Sequence, residues 1–305
     1  MELAADFSFA PLPPIENPVE FQFPALASRL GPLNGLAGKW SGLGFNLIWR
    51  PNHNPSRQDR FLELNLTSEQ LEFDPISGPI PNRGLLQADI NMFGLTYLQQ
   101  ISDANLGAGL HLEPGLWVAI PQTSDPKEAP TVARLASIPH GTTILAQGTA
   151  STSATAPSIP NVSIKPFTIG KPSATINFPE QTLAKPSQFR TSGTGLIGIT
   201  QQMVNNPNSI LRSAIAAQRI QATTTLPMST SDGSLPGGGT ANTAFLRGAA
   251  QGPNAVAARV AATFWLETLR GDPGPLQLQY SQTVLLNFNG LSWPHITVAT
   301  LHKAA

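Results

Sequence analysis

Polar and apolar residues alternate through most of this chain. In "GLAGKWSGLGFNLIWRP", Leu43, Phe45, Leu47 and Trp49 fall on one face at period two, which predicts a strand. The opposing face carries Gly42 and Gly44, where a strand bends or admits a close neighbour. "RFLELNLTSEQLEF" sets Phe61, Glu63 and Asn65 on one side and Leu62, Leu64 and Leu66 on the other. Further short strands are predicted in "LLQADINMFGLTYLQQIS", "GLHLEPGLWVAIP", "PTVARLASIPHG" and "TTILAQGTA". Past residue 250 the alternation resumes in "AVAARVAATFWLETL" and in "LQLQYSQTVLLNF", where Leu276, Leu278, Tyr280, Val284, Leu286 and Phe288 share a face. Asn289-Gly290 is a hairpin signal, so "LSWPHITVATL" pairs back as the last strand.

Many short strands with Gly/Pro punctuation predict an all-β barrel or sandwich. Two segments break the pattern. Residues 1–35 are Pro-rich and read as an irregular arm before a single β domain, 36–305. Residues 151–250 are rich in Ser, Thr and Pro and read as a long insertion packed on that domain. One helix is predicted within it, in "NNPNSILRSAIAAQRI", with Asn208 or Ser209 as N-cap.

Composition narrows the function classes. Charged residues make up 12% of the 305, about half the usual share, and Lys+Arg balance Asp+Glu at 18 each. Such a chain has no electrostatic footprint for nucleic acid or an anionic membrane. With no cysteine, disulfides, thiolate metal sites and a Cys nucleophile are excluded. No secretory leader and no membrane-length apolar run is evident, so a soluble, cytoplasmic protein is expected. No His-Glu-x-x-His is present, "GTGLIG" and "GGGTAN" lack a phosphate-loop lysine, and "RTSGTG" lacks the first glycine of a nucleophile elbow.

Five histidines remain as candidate chemistry. His53 lies in a polar loop and His302 near the end of the chain, and both are expected at the surface. His111 opens "HLEPG", His140 sits in the turn "IPHG", and His295 lies on the last strand with Trp293 and Thr297 expected on its face.

"LAGKWSGLGF" resembles the opening strand of the nitrobindin-like haem-binding β-barrels of the calycin group, with Trp40 in the place of a residue that plugs the barrel. "LTYLQQIS", centred on Tyr97, "HLEPGLW", with His111, Glu113, Gly115 and Trp117, "ASIPHGTTILAQGTA" and the closing Pro-His strand follow in that family's order. The resemblance covers residues 36–150 and 255–303. It has no counterpart for 151–250, and the spacing after His295 is one residue longer, an offset a β-bulge absorbs. It implies an antiparallel barrel holding haem b, with His295 as the iron ligand and Trp293, Trp40, Trp117 and Tyr97 around the cofactor. It also implies His140 and His111 as groups acting on bound nitric oxide, peroxynitrite or peroxide, in peroxidase-like or peroxynitrite isomerase chemistry. The alternative expectation is a carrier of a fatty acid or other hydrophobic small molecule, without haem. The insertion is expected either to cover the barrel mouth or to pair two copies as a homodimer.

Overall fold

The computed structural model describes residues 28–53, 59–231, 237–249, 252–271 and 274–304. Most of the Pro-rich arm and parts of three predicted loops, at 54–58, 232–236 and 272–273, lie outside the described residues. Ten antiparallel strands close into a barrel. They are β1 (Gly38–Asn52), β2 (Asp59–Pro75), β3 (Ile90–Asp103), β4 (Gly109–Ile120), β5 (Thr131–Ile138), β6 (Thr142–Gly148), β7 (Ile220–Ser229), β8 (Val256–Leu269), β9 (Leu276–Phe288) and β10 (Leu291–Lys303). Each pairs with its neighbour in sequence, and β10 returns to β1, so the topology is up-and-down. The β6–β7 seam is thin. It holds one register pair, Ser229 with Gln147, and the short strand Gly239–Asn242 continues along β6.

One boundary moves. Residues 220–229, read from sequence as part of the insertion, form barrel strand β7. Their Thr-rich composition hid a strand whose Leu226 and Met228 belong to the barrel core. Strand β7 therefore cuts the predicted insertion in two, leaving a shorter stretch after it and the larger part, 149–219, before it. The predicted helix is the two-turn α2 (Ser209–Ile215), with Asn208 as N-cap, preceded by the short α1 (Gln201–Asn205).

The interior divides into two ends. At one, the 3-10 turn Gly31–Leu36 closes the barrel and Trp40 donates its indole N–H to Leu36 O at 2.7 Å. Phe73, Leu95, Trp117, Phe264 and Leu278 fill the space above it. Toward the other end the inward face of β2 becomes polar, reading Glu69, Thr67, Asn65 and Glu63, while Leu62 and Leu64 point out of the barrel. Phe45, Leu47 and Trp49 of β1 also point outward, the reverse of what their apolar pattern suggests by itself.

These outward side chains are buried because residues 149–219 cover them. Ile159, Ile164, Ile199, Met203, Val204 and Leu211 pack on them as a second core. Trp49 donates to Ile164 O at 2.9 Å. The edge of β2 that β3 does not reach is satisfied by this segment: Leu62 N donates to Phe189 O and Thr191 N to Leu62 O, at 2.8 and 3.0 Å. The insertion thus supplies both an apolar partner and the missing backbone hydrogen bonds.

Gly42 and Gly44 face the barrel interior, and a Cβ on either would sit 2.1 or 2.3 Å from a β10 carbonyl oxygen. Close approach of β10 explains them. Asn289 and Gly290 turn the last hairpin with φ of 49° and 73°, as the Asn-Gly signal predicts. The expected bulge is absent from β10, which pairs without a register shift with β1 from His295 to Lys303 and with β9 along its length.

Candidate functional site

At the polar end the barrel encloses a cavity of about 390 Å³. His111, His140 and His295 all line it. Ring order puts them on facing walls. His295 lies on β10, beside β1, while His111 is on β4 and His140 is in the β5–β6 turn, half-way round. The His111 and His140 rings stand 5.7 Å apart. Ile48, Ile101, Ile138, Val260, Val284 and Leu286 give the cavity apolar wall, with Leu246 of the one-turn helix Ala244–Arg247, while Thr142, Gln282 and the Arg50–Glu63 ion pair make the rest of the lining polar.

A layer of buried polar groups separates this cavity from the aromatic core below. Arg134 donates to Glu113, to Tyr97 Oη at 3.0 Å and to Gln282 Oε1 at 2.7 Å, and Tyr97 donates to Glu113. Gly115 makes this possible, since a Cβ there would meet the Tyr97 ring at 2.6 Å. Burial alone would raise the Glu113 carboxyl. The Arg134 guanidinium and the His111 and Tyr97 hydrogen bonds outweigh it and hold the carboxyl at about 2. Burial is likewise outweighed at Arg134, where Glu113 raises the guanidinium further, so the pair stays ionised inside the barrel. His111 reaches Glu113 Oε2 at 3.2 Å, which orients its ring.

A second network stands beside the first. Gln99 donates to Tyr280 Oη at 3.0 Å, Tyr280 donates to Glu69 Oε2 at 2.6 Å, and Thr67 donates to Glu69 Oε1 at 3.0 Å. Burial dominates here, offset only in part by the Tyr280, Thr67 and Gln99 hydrogen bonds and the His111 charge, so the Glu69 carboxyl is pushed up to about 7. Tyr280 and Gln99 line the cavity floor, linking Glu69 to it.

His295 sits in a third network. Its Nε2 is 2.7 Å from Asn46 Oδ1 and 3.3 Å from Thr297 Oγ1. Burial first, and then the charge that His111 and His140 would carry, push this imidazole down to about 3, so it is neutral at physiological pH. His140 is lowered by the same two causes, burial and then His111.

The other sequence candidates lie elsewhere. Trp40 is at the closed end, and Tyr97 and Trp117 are in or beneath the Arg134 layer. Trp293 does not share the His295 face as expected. At the barrel rim its ring turns into the outer core, stacked on Phe288 and Phe178, with its indole N–H on Phe288 O at 2.9 Å. None of these four lines the cavity. His53 and His302 are exposed, as expected.

The sequence reading passed over Glu69, Arg134, Asn46, Asn65 and Asp103. One signal was available: Glu63, Asn65, Thr67 and Glu69 continue at period two into Leu71 and Phe73, so a polar run shares its face with core residues. Among the described residues no cluster of three or more His, Cys, Asp or Glu is arranged to hold a metal ion. A macrocycle that supplies its own equatorial ligands needs only one imidazole. No helix among the described residues is long and apolar enough to cross a membrane.

Comparison with known proteins adds little to this geometry. No protein-family model and no curated protein matches the chain. Among solved structures, the chain is similar to the crystal structure of Rv2717c from M. tuberculosis, with 16% identity and a TM-score of 0.42 over 92% of this chain and 98% of that one.

Proposed function

We propose that this barrel binds haem b through His295 and acts on nitric oxide, peroxynitrite or peroxide. One observation carries the reading: a neutral, anchored imidazole faces two further histidines across a cavity that also offers apolar wall at Ile48, Val284 and Leu286. Those residues fit the group. A metal-binding imidazole keeps one nitrogen hydrogen-bonded to a fixed acceptor, and Asn46 Oδ1 is such an acceptor. Ile48, Val284 and Leu286 offer apolar wall to a flat macrocycle.

Haem, held by His295, would supply a redox-active iron. The chain supplies the proton handling there. Glu113, held ionised by Arg134, accepts from His111 Nε2–H and leaves Nδ1 of that ring to take up and return a proton. Its carboxylate stabilises the imidazolium so formed, the role a buried carboxylate plays beside a catalytic histidine. Leu110, Ile138 and Leu246 restrict water on the His111 side.

A carrier of a fatty acid or similar molecule is the second reading, favoured by the apolar walls and by a volume within the usual range for small-molecule sites. Titration of the purified protein with haem decides between them. A Soret band that is shifted from free haem, saturates at one equivalent and is lost in His295→Ala is the expected result. An unchanged band in His295→Ala overturns the ligand assignment. Colourless protein that carries a fatty acid and takes up no haem replaces the reading with the second.

A further inference from the structure

Asn46, Asn65 and Thr297 lie in one cross-strand row, Asn46 pairing with Asn65 on β2 and with Thr297 on β10. All three are buried, and their side chains join His295 to Asp103. Asn65 Nδ2 donates to Asp103 Oδ2 at 2.8 Å, and Asn46 Nδ2 donates to Asn65 Oδ1 at 3.2 Å. Asn46 Oδ1 meets His295 Nε2 at 2.7 Å and accepts from Thr297 Oγ1 at 3.0 Å.

The direction of this chain is set at its far end. The other Asp103 oxygen, Oδ1, accepts from the backbone N–H of Asn105 and Leu106, both at 2.8 Å. A carboxylate so placed only accepts, which obliges Asn65 to present its amide NH₂ to Oδ2. Asn65 then offers its carbonyl to Asn46, and Asn46 must offer NH₂ to Asn65 and its carbonyl to His295. A carbonyl accepts and cannot donate, so the proton of the neutral imidazole belongs on Nε2. The other nitrogen, Nδ1, receives no hydrogen bond among the described residues.

We infer that Asp103, acting through Asn65 and Asn46, locks His295 in the Nε2–H tautomer and presents Nδ1 to the cavity as the bare, ligand-accepting nitrogen. Asp103, Asn65 and Asn46 thereby act through His295 as positioning residues, and Asp103 and Asn65 lie outside the cavity lining. As the identity of an iron-ligating atom, Nδ1 rests on the haem reading above. The tautomer itself does not.

Two-bond ¹H–¹⁵N correlation spectra of the purified full chain without added haem read the tautomer directly. The expected result is a His295 ring with a pyrrole-like Nε2 and a pyridine-like Nδ1. The reverse pattern in the wild-type protein overturns the inference. Asp103→Asn tests the relay. In that variant the carbonyl oxygen of the new side-chain amide is kept on the Asn105 and Leu106 backbone N–H groups. Its NH₂ then faces Asn65, and both amides downstream must flip. His295 should then become Nδ1–H. A folded Asp103→Asn protein that stays Nε2–H overturns the relay. On haem titration, Asp103→Asn should weaken binding by about 10- to 100-fold. Unchanged haem binding by a protein with the reversed tautomer overturns the assignment of Nδ1. Wild-type protein that shows the expected tautomer but takes up no haem refutes the function proposed above and leaves the relay standing.

Discussion

The two ends of the barrel obey opposite rules. Around Trp40, apolar side chains fill the lumen and the outer surface faces water: Leu43 is 68% exposed, and Lys39 and Glu72 form a surface ion pair. Around His295, polar side chains line the lumen, and the outer surface is an apolar core under residues 149–219. The same strands, β1 and β2, run through both regimes. Alternation assigns a residue to one face of a strand, but what covers each face decides which one is dry.

The contrast is sharpest in the charged layer between the two ends. Arg134→Met would leave Glu113 buried without its cation, and a loss of about 3–5 kcal/mol is expected in urea unfolding. Adding Glu113→Gln to that variant should recover part of the loss. If the single change costs under about 1 kcal/mol, the layer is not the divide described above. Next in size is Leu64→Ala on the outside of β2. Its side chain is fully buried, so a core-like loss of about 2–5 kcal/mol is expected by the same measurement, though the residue points away from the lumen.

A smaller effect tests the wet interior by pH. The Glu69 carboxyl is raised from 4.5 to about 7 in the folded state, so between those values the folded protein binds more protons than the unfolded chain. Its contribution to stability is present below pH 4.5 and declines as pH rises through 7, by at most about 1.4 kcal/mol per pH unit. Glu69→Gln should remove that decline from a plot of unfolding free energy against pH. An unchanged slope means the carboxyl is not held protonated by burial. The smallest effect belongs to Leu43→Ala. It shares the outward face of Phe45 and Leu47 but lies beyond the insertion, and a change within about 0.5 kcal/mol is expected.

Much of the barrel was legible because strand periodicity is local. The runs ending in Trp49, Phe73 and Phe288 each announce two faces, and Asn289-Gly290 announces a hairpin. Three histidines were also legible as candidates, and the fold brings His111, His140 and His295 to one cavity. What could not be read depends on contacts distant in sequence. Trp49 and Trp293 pack outward because Ile164 and Phe178, more than a hundred residues from one or both, close over them. Nothing local in "VARLAS" marks Arg134 as the residue that Glu113 and Gln282 surround. Asn46 and Asn65 gain meaning only from the register that aligns β10, β1 and β2.

Ring closure itself depends on an absent side chain. At the β6–β7 seam a Cβ on Gly148 would lie 1.6 Å from the carbonyl oxygen of Pro227, and a single register pair follows at Gln147. A methyl group there would push the two strands apart beside the one point where they pair. The histidine wall and the wall that faces it, joined through the β10–β1 pairing on one side, depend on this clasp on the other. The spacing between them, and so the width of whatever slot they form, is therefore adjusted at a residue that never touches the cavity.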